Sequence, residues 1–266
     1  MSWTLPVLPE IDSTMPILDI DEEVATITFN RPAQRNRLED RDLKALLEIL
    51  PGLNEDERIR VVVLRANTAA HPRPVFSAGY NLVAFGEDGD PHLFERVPDM
   101  VAGLRPLTVC ALSGSIYGGT TDVALACDVR LAQAGIEWRM PASALGLHYY
   151  PNGLKRYVQV FGPAAARRAF LTARPFSAER LMQLGVLEEV VPVADFEAEL
   201  VRLVNDLCLL APWAAQQAKK SIREISNGDF DFDCLRARER KSMQTEDFAE
   251  GRRSFVERRA PVFTGK

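Results

Sequence analysis

Three features of the 266-residue chain predict an α/β fold. Short apolar runs at residues 61–64, 107–112 and 129–132 have the composition of strands buried on both faces. Segments with apolar residues at helical spacing lie between them, and beyond Pro192 the strand signals stop and helical patterns take over. Such alternation places the loops at strand ends where they can build a site.

Taken in order, residues 15–20 and 24–29 have β-type composition around Asp21-Glu22-Glu23 and read as a hairpin. Leu43, Leu46, Leu47 and Leu50 share one helix face, and Pro51-Gly52 is expected to stop that helix. A strand at 61–64, a polar loop at 67–73, a helix at 92–104 and a strand at 107–112 follow. Gly118-Gly119 opens a helix that continues through Ala126, and residues 129–132 form the next strand. Helical patterns at 196–210, 211–225 and 245–259 complete the chain, giving a core at 1–192 and a helical appendage at 193–266. Arg252, Arg253, Arg258, Arg259 and Lys266 make the last segment locally basic, through either a solvated helix face or a binding surface.

With 32 Lys and Arg against 37 Asp and Glu, the net charge is −5, so no global field gathers nucleic acid or an anionic membrane. Any polyanion must be held locally. No apolar stretch approaches the roughly 20 residues of a membrane span. The acidic, proline-bearing N-terminal segment lacks the pattern of a secretory signal, and a cytoplasmic location is expected. Cys110, Cys127, Cys208 and Cys234 form no CxxC pair and are expected to be reduced and mostly buried. His71, His92 and His148 lie far apart without ligand spacing, so no metal site is expected. Nucleophile-elbow, zinc-protease, phosphate-loop and dinucleotide fingerprints are absent from the sequence.

Two segments rich in small residues remain, 75–82 (VFSAGYNL) and 113–122 (SGSIYGGTTD). Small residues admit a ligand close to the backbone, and the first N–H groups of a helix are unpaired at its positive end. Two such groups converging from two loops would form an oxyanion hole. Close packing or a tight turn is the competing explanation for each glycine segment. Asp122 follows Gly119 by three residues, which places its carboxylate near the face of the Gly119 N–H on a helix beginning there. Compensation of the helix dipole is the alternative role for that aspartate.

In combination these segments resemble the enoyl-CoA hydratase/isomerase, or crotonase, superfamily over nearly the whole chain. Thr28-Phe29-Asn30-Arg31-Pro32 with Arg35-Asn36, Val61 to Leu64, Phe76-Ser77-Ala78-Gly79 with Leu82, Gly118-Gly119, Ala124 to Asp128 and the ending from Phe255 to Lys266 occur in the family's order. The resemblance implies a spiral of ββα turns, a helical C-terminal region that builds a trimer or a dimer of trimers, and an acyl-CoA substrate, with no cofactor beyond the coenzyme A it carries. By position it implies oxyanion N–H groups on Ala78 and Gly119. Ser77, Tyr80, Asn81, Leu82, Gly118, Pro141 and Ala142 would contact the substrate, its acyl pocket being walled by residues 84–99 and 136–150. Arg35 and Arg37, with Phe263 and Lys266 from the same or a neighbouring subunit, would hold the CoA phosphates and adenine. Surface ion pairing is the alternative for the arginines.

Two departures bear on the reaction. Hydratases of the family carry two glutamates; the first falls on Asp122, one methylene shorter, and the second on Ala142, which has no carboxylate. A single carboxylate can still move one proton, but the two-carboxylate hydration mechanism is unsupported. Tyr80 and His148-Tyr149-Tyr150 add bulk and polarity beside the expected site. Members that decarboxylate malonyl-type CoA esters resemble the chain in such groups, with a tyrosine close to the position of Tyr149. The expected function is therefore acyl-CoA hydratase/isomerase-class chemistry through a thioester enolate, with Asp122 and Tyr149 as catalytic candidates. Decarboxylation and a catalytically degenerate CoA-binding subunit are the alternatives.

Overall fold

The structure, a computed structural model, describes residues 2–8, 15–81 and 90–266. The expected hairpin is present: β1 (Ile17–Asp21) and β2 (Val24–Phe29) pair antiparallel. The helix α1 (Asp40–Glu55) continues past Pro51, contrary to the expected stop. An interior proline costs about 3 kcal/mol, but Leu53 beyond it is buried on the same side as Leu43, Leu46 and Leu50, and its burial holds the final turn. The entry of α1 is fixed by a reciprocal cap between Glu39 and Asp42, and the buried Arg31 clamps the Asp42 carboxylate at 2.8 and 3.0 Å.

The chain then winds through three turns. The strands β3 (Val61–Ala66) and β4 (Val75–Ser77) lead to α2 (Leu93–Gly103); β5 (Leu107–Leu112) and β6 (Ser115–Tyr117) lead to α3 (Thr120–Ala126); β7 (Val129–Gln133) and β8 (Glu137–Arg139) lead to α4 (Pro151–Thr172). The first strand of each turn enters one sheet and the second enters another, so β3, β5 and β7 run parallel in the first and β4, β6 and β8 in the second. This is the spiral of ββα turns that the resemblance implies. β9 (Phe176–Ser177) closes the second sheet antiparallel to β8; after α5 (Ala178–Gln183), β10 (Glu189–Val191) joins the first sheet beside β7. Four helices follow: α6 (Phe196–Cys208), α7 (Pro212–Asn227), α8 (Phe232–Ser242) and α9 (Glu246–Glu257). α8 was not expected: its sequence FDCLRARERKS carries few apolar residues among many charged ones, too few to form an apolar stripe.

The unbroken apolar runs are explained by burial on two faces. In β3, Val62 and Leu64 join the core shared with the helices of the spiral, whereas Val61 and Val63 point to the other face with Val109, Ala111 and Leu131. That second face is covered by Phe196, Leu200, Val204 and Cys208 of α6, spaced along one helical stripe. Truncating Leu200, which is 1% exposed, to alanine removes the centre of this stripe. We expect Leu200→Ala to lower unfolding free energy by about 2–5 kcal/mol in urea denaturation.

Candidate active site

β4 and β6 end side by side, and their following loops touch. Ser77 lies at the hub: its hydroxyl donates to the Asn36 carbonyl at 2.7 Å, accepts the Gly79 N–H at 3.1 Å and lies 2.8 Å from Thr120 Oγ1. Ser77 is fully buried, so it pins the loops, and it is not among the residues lining the adjoining cavity, where a substrate contact was expected. Gly79, with φ +98°, comes so near the neighbouring loop that a Cβ would lie 2.9 Å from the Tyr117 carbonyl oxygen. At Gly119 a Cβ would lie 2.6 Å from the ring of Phe94. Both glycines are required by these close approaches.

The backbone directions then decide which amides a ligand can reach. The Ala78 N–H donates to the Arg35 carbonyl at 2.8 Å, which corrects the expectation that it is an oxyanion donor. The Gly79 carbonyl accepts from the Leu38 N–H at 2.9 Å, and the trans peptide that carries it points the Tyr80 N–H to the opposite side. Tyr80, Gly79, Gly118 and Gly119 line one cavity of about 310 Å³. Gly119 caps the N-terminus of α3, and its N–H meets no backbone acceptor in the hydrogen bonds of the described residues. The Gly118 N–H is used by the Arg139 carbonyl at 3.0 Å.

The other walls are mostly apolar and aromatic: Pro91, Phe94, Met140, Pro141, Ala142, Leu145, Leu147, Tyr149 and Tyr150. The ring of Phe94 lies 5.4 Å from that of Tyr80 and 6.1 Å from that of Tyr150. Gly153 makes room for the tyrosine pair, since a Cβ there would fall 2.3 Å from the Tyr149 ring. His92, Glu95 and His148 also line the cavity.

Asp122 does not stand open at this cavity as expected. It is fully buried, and Arg156 of α4 grips both its oxygens, at 2.9 Å through Nε and 2.6 Å through Nη2. Tyr150 donates its hydroxyl proton to the same carboxylate, and Tyr149 donates to Tyr150 at 3.4 Å. Arg156 also binds Asp99 of α2 at 2.7 Å. Asp122 thus meets the cavity through Tyr150, with its charge answered from behind. Burial first, and the negative Asp122 second, push both the Tyr149 and the Tyr150 phenols well above their ordinary value near 10. Both hydroxyls therefore remain protonated donors.

The remaining expected contacts are spread around this centre. Ala78, Tyr80, Gly118, Pro141, Ala142 and Tyr149 lie on the cavity wall, and the Tyr80 hydroxyl turns away to Asp40. Asn81 uses its N–H on the Leu38 carbonyl. Leu82 and residues 84–89 of the expected acyl wall lie outside the described residues. Arg35 is exposed beside Ala78, whereas Arg37 is paired with Glu39 at 3.0 Å. Phe263 and Lys266 pack near α9 and are not among the described residues lining the cavity: a Cβ on Gly251 would lie 3.7 Å from the Phe263 ring, and the Lys266 carbonyl accepts from Asp247. Arg259 and Arg253 of the basic tail are ion-paired with Glu250. Among the described residues no group of three or more His, Cys, Asp or Glu is placed to hold a metal, and no helix is long and apolar enough to cross a membrane.

Sequence reasoning missed Arg156; His92, Phe94, Glu95 and Asp99 fall within the expected wall at 84–99, and His92, Phe94 and Glu95 line the cavity, but none of the four was given a role of its own. The periodicity of α2 shows Phe94 as a core residue, but nothing local marks it as the ring that presses on Gly119.

A family model described as enoyl-CoA hydratase/isomerase matches residues 19–266. The chain is 27% identical to methylmalonyl-CoA decarboxylase of Escherichia coli over 91% of its length and 95% of that protein. It is 28% identical to 2,3-dehydroadipyl-CoA hydratase of the same organism, over 94% of its length and 98% of that protein. The crystal structure of an enoyl-CoA hydratase from Bacillus anthracis superposes with a TM-score of 0.83 at 27% identity, covering 94% of this chain and 99% of that one.

Two outcomes test this geometry. Arg156→Met leaves the Asp122 carboxylate buried without its cation and is expected to cost about 3–5 kcal/mol in chemical denaturation, with most of that recovered in the Asp122→Asn/Arg156→Met double variant. The raised phenols contribute stability that is complete below about pH 10 and lost as pH climbs above it, because the unfolded chain releases those protons first. Urea midpoints should therefore fall in alkali, and fall less steeply in Tyr149→Phe/Tyr150→Phe.

Proposed function

The chain belongs to the enoyl-CoA hydratase/isomerase family and processes acyl-CoA; from that premise we propose that it forms a thioester enolate between the Tyr80 and Gly119 amides by decarboxylating a malonyl-type CoA ester. The observation that carries this reading is the closure of Asp122. A carboxylate gripped by Arg156 and capped by Tyr150 is poorly placed to activate water, and Ala142 supplies no second one. Decarboxylation needs no base in its bond-breaking step. It needs a carboxylate held away from water and donors on the oxygen that becomes negative.

The cavity suits both needs. Its aromatic and aliphatic walls withdraw water from the substrate carboxylate, while two amides aimed from converging loops stabilise the enolate oxygen, each worth about 2.7–4 kcal/mol in comparable sites. The Tyr149 proton lies on a long bond to Tyr150 and can be redirected to a substrate carboxylate oxygen, which fixes the breaking bond out of the thioester plane. Arg35, exposed beside the oxyanion loop, is the cation we assign to the CoA phosphates. Exposed Phe248, Phe255 and Val256 on α9 support self-assembly through the C-terminal helices as a trimer or a dimer of trimers, which would bring Phe263 and Lys266 of a neighbouring copy toward the CoA.

Incubation with malonyl-, methylmalonyl- and enoyl-CoA esters in deuterium oxide, read by mass spectrometry, discriminates the readings. Release of CO₂ with one deuteron entering the product is expected. Hydration of the enoyl esters would overturn the proposal in favour of hydratase chemistry, and saturable binding without product would favour a catalytically degenerate binding subunit. Tyr149→Phe is expected to lower kcat about 10- to 100-fold, the loss of one hydrogen bond to a charged oxygen.

A further inference from the structure

Loss of CO₂ leaves an enolate carbon that must gain a proton, and neither Asp122 nor Tyr150 has one to give: the first is ion-paired, and the second has committed its proton to the first. We propose that His92, positioned by Glu95, is the acid that protonates this carbon. The inference rests on the enolate chemistry argued above.

Both residues line the same cavity as Tyr80 and Gly119, and His92 Nδ1 lies 2.8 Å from Glu95 Oε1. A carboxylate only accepts, so Nδ1 carries the proton of that bond and Nε2 is the nitrogen left to exchange protons with a ligand. The pair is also registered on the oxyanion loop. Phe94 lies between its members in the chain, is buried, and has its ring where a Cβ of Gly119 would be 2.6 Å away. The first turn of α2 thus cannot shift without moving the ring that packs on Gly119. The His92 N–H donates to the Asp90 carboxylate at 3.0 Å, which holds the start of that turn. His148, the other histidine at the cavity, has no carboxylate paired with it among the described residues.

The step balances. The bond between the α-carbon and the carboxylate breaks, its electron pair passes into the thioester enolate and CO₂ leaves. The enolate α-carbon then takes the Nε2 proton of the imidazolium, which returns to neutral imidazole and is reprotonated from water. The net reaction consumes one solvent proton and yields the shortened acyl-CoA.

The test follows the deuteron. Methylmalonyl-CoA turned over in deuterium oxide by the wild-type protein should give propionyl-CoA labelled on one face of the α-carbon. His92→Gln, a change at a side chain 71% exposed, should fold normally and either lose that facial selectivity or lose about 100-fold or more in product formation. Glu95→Gln should follow it and Glu95→Asp should restore part of the selectivity. Wild-type selectivity and rate in His92→Gln would overturn the proposal. If the wild-type protein leaves malonyl esters unchanged, the decarboxylase reading fails and a second measurement decides the role of His92. The three histidines of the chain can be followed by ¹⁵N NMR, with His71, outside the cavity lining, as the internal reference. Saturating propionyl-CoA should shift the His92 Nε2 signal, and Glu95→Gln should alter its tautomer. A His92 signal unmoved by bound propionyl-CoA, or no binding at all, would overturn the proposal.

Discussion

The ion pair between Asp122 and Arg156 is the interaction on which the site depends. Asp122 sits in the first turn of α3, next to the amide that faces the cavity, and Arg156 rises from α4 to meet it while also binding Asp99 on α2. One guanidinium therefore fixes the mutual positions of the three helices that surround the cavity. Planar, forked donors suit this role, because two parallel bonds to one carboxylate fix direction as well as distance. A lysine could match the charge but not the second bond. Tyr150 completes the arrangement on the cavity side, so a buried charge is satisfied on every side and the cavity itself faces a neutral phenol.

Much of the fold was legible because its elements repeat a local pattern. The hairpin, the three central strands and the helices α1, α2, α6 and α7 all show periodicity or unbroken apolar runs within a few residues of their bounds. The second sheet was not, for a physical reason. Its strands have only two or three residues, too short for any period, and they are held by pairing with one another at a distance along the chain. Pro51 misled for the opposite reason, since a strong local breaker was overruled by the burial of Leu53.

The site divides in the same way. Its glycines announced the two loops, because small residues at a strand end have few other uses, and both close approaches are real. Which amide faces the ligand could not be read from them. That choice turns on which carbonyl each N–H meets, and the partner of Ala78 is Arg35, 43 residues away. Asp122 was visible as a carboxylate, but its neutralisation was not, because Arg156 lies 34 residues further along and carries no motif of its own.

Ala142 and the closed state of Asp122 then read as one feature. A substrate that carries its own carboxylate into an apolar cavity is repelled by any uncompensated carboxylate already there; two like charges about 4 Å apart cost about 4 kcal/mol at the effective dielectric of a partly exposed site. Two free glutamates on the walls would thus oppose binding of a malonyl-type ester even as they favoured water addition to a neutral enoyl ester. In this chain one of the two positions is an alanine buried in the wall, the other is neutralised by Arg156, and the carboxylate that does line the cavity, Glu95, faces a histidine. One carboxylate position is therefore an alanine, Asp122 is ion-paired, and Glu95 is held by the His92 ring. Under the proposed function, the alanine that supplies no second carboxylate for water addition would also leave the cavity tolerant of an anionic acyl group, so both effects would have a single electrostatic cause.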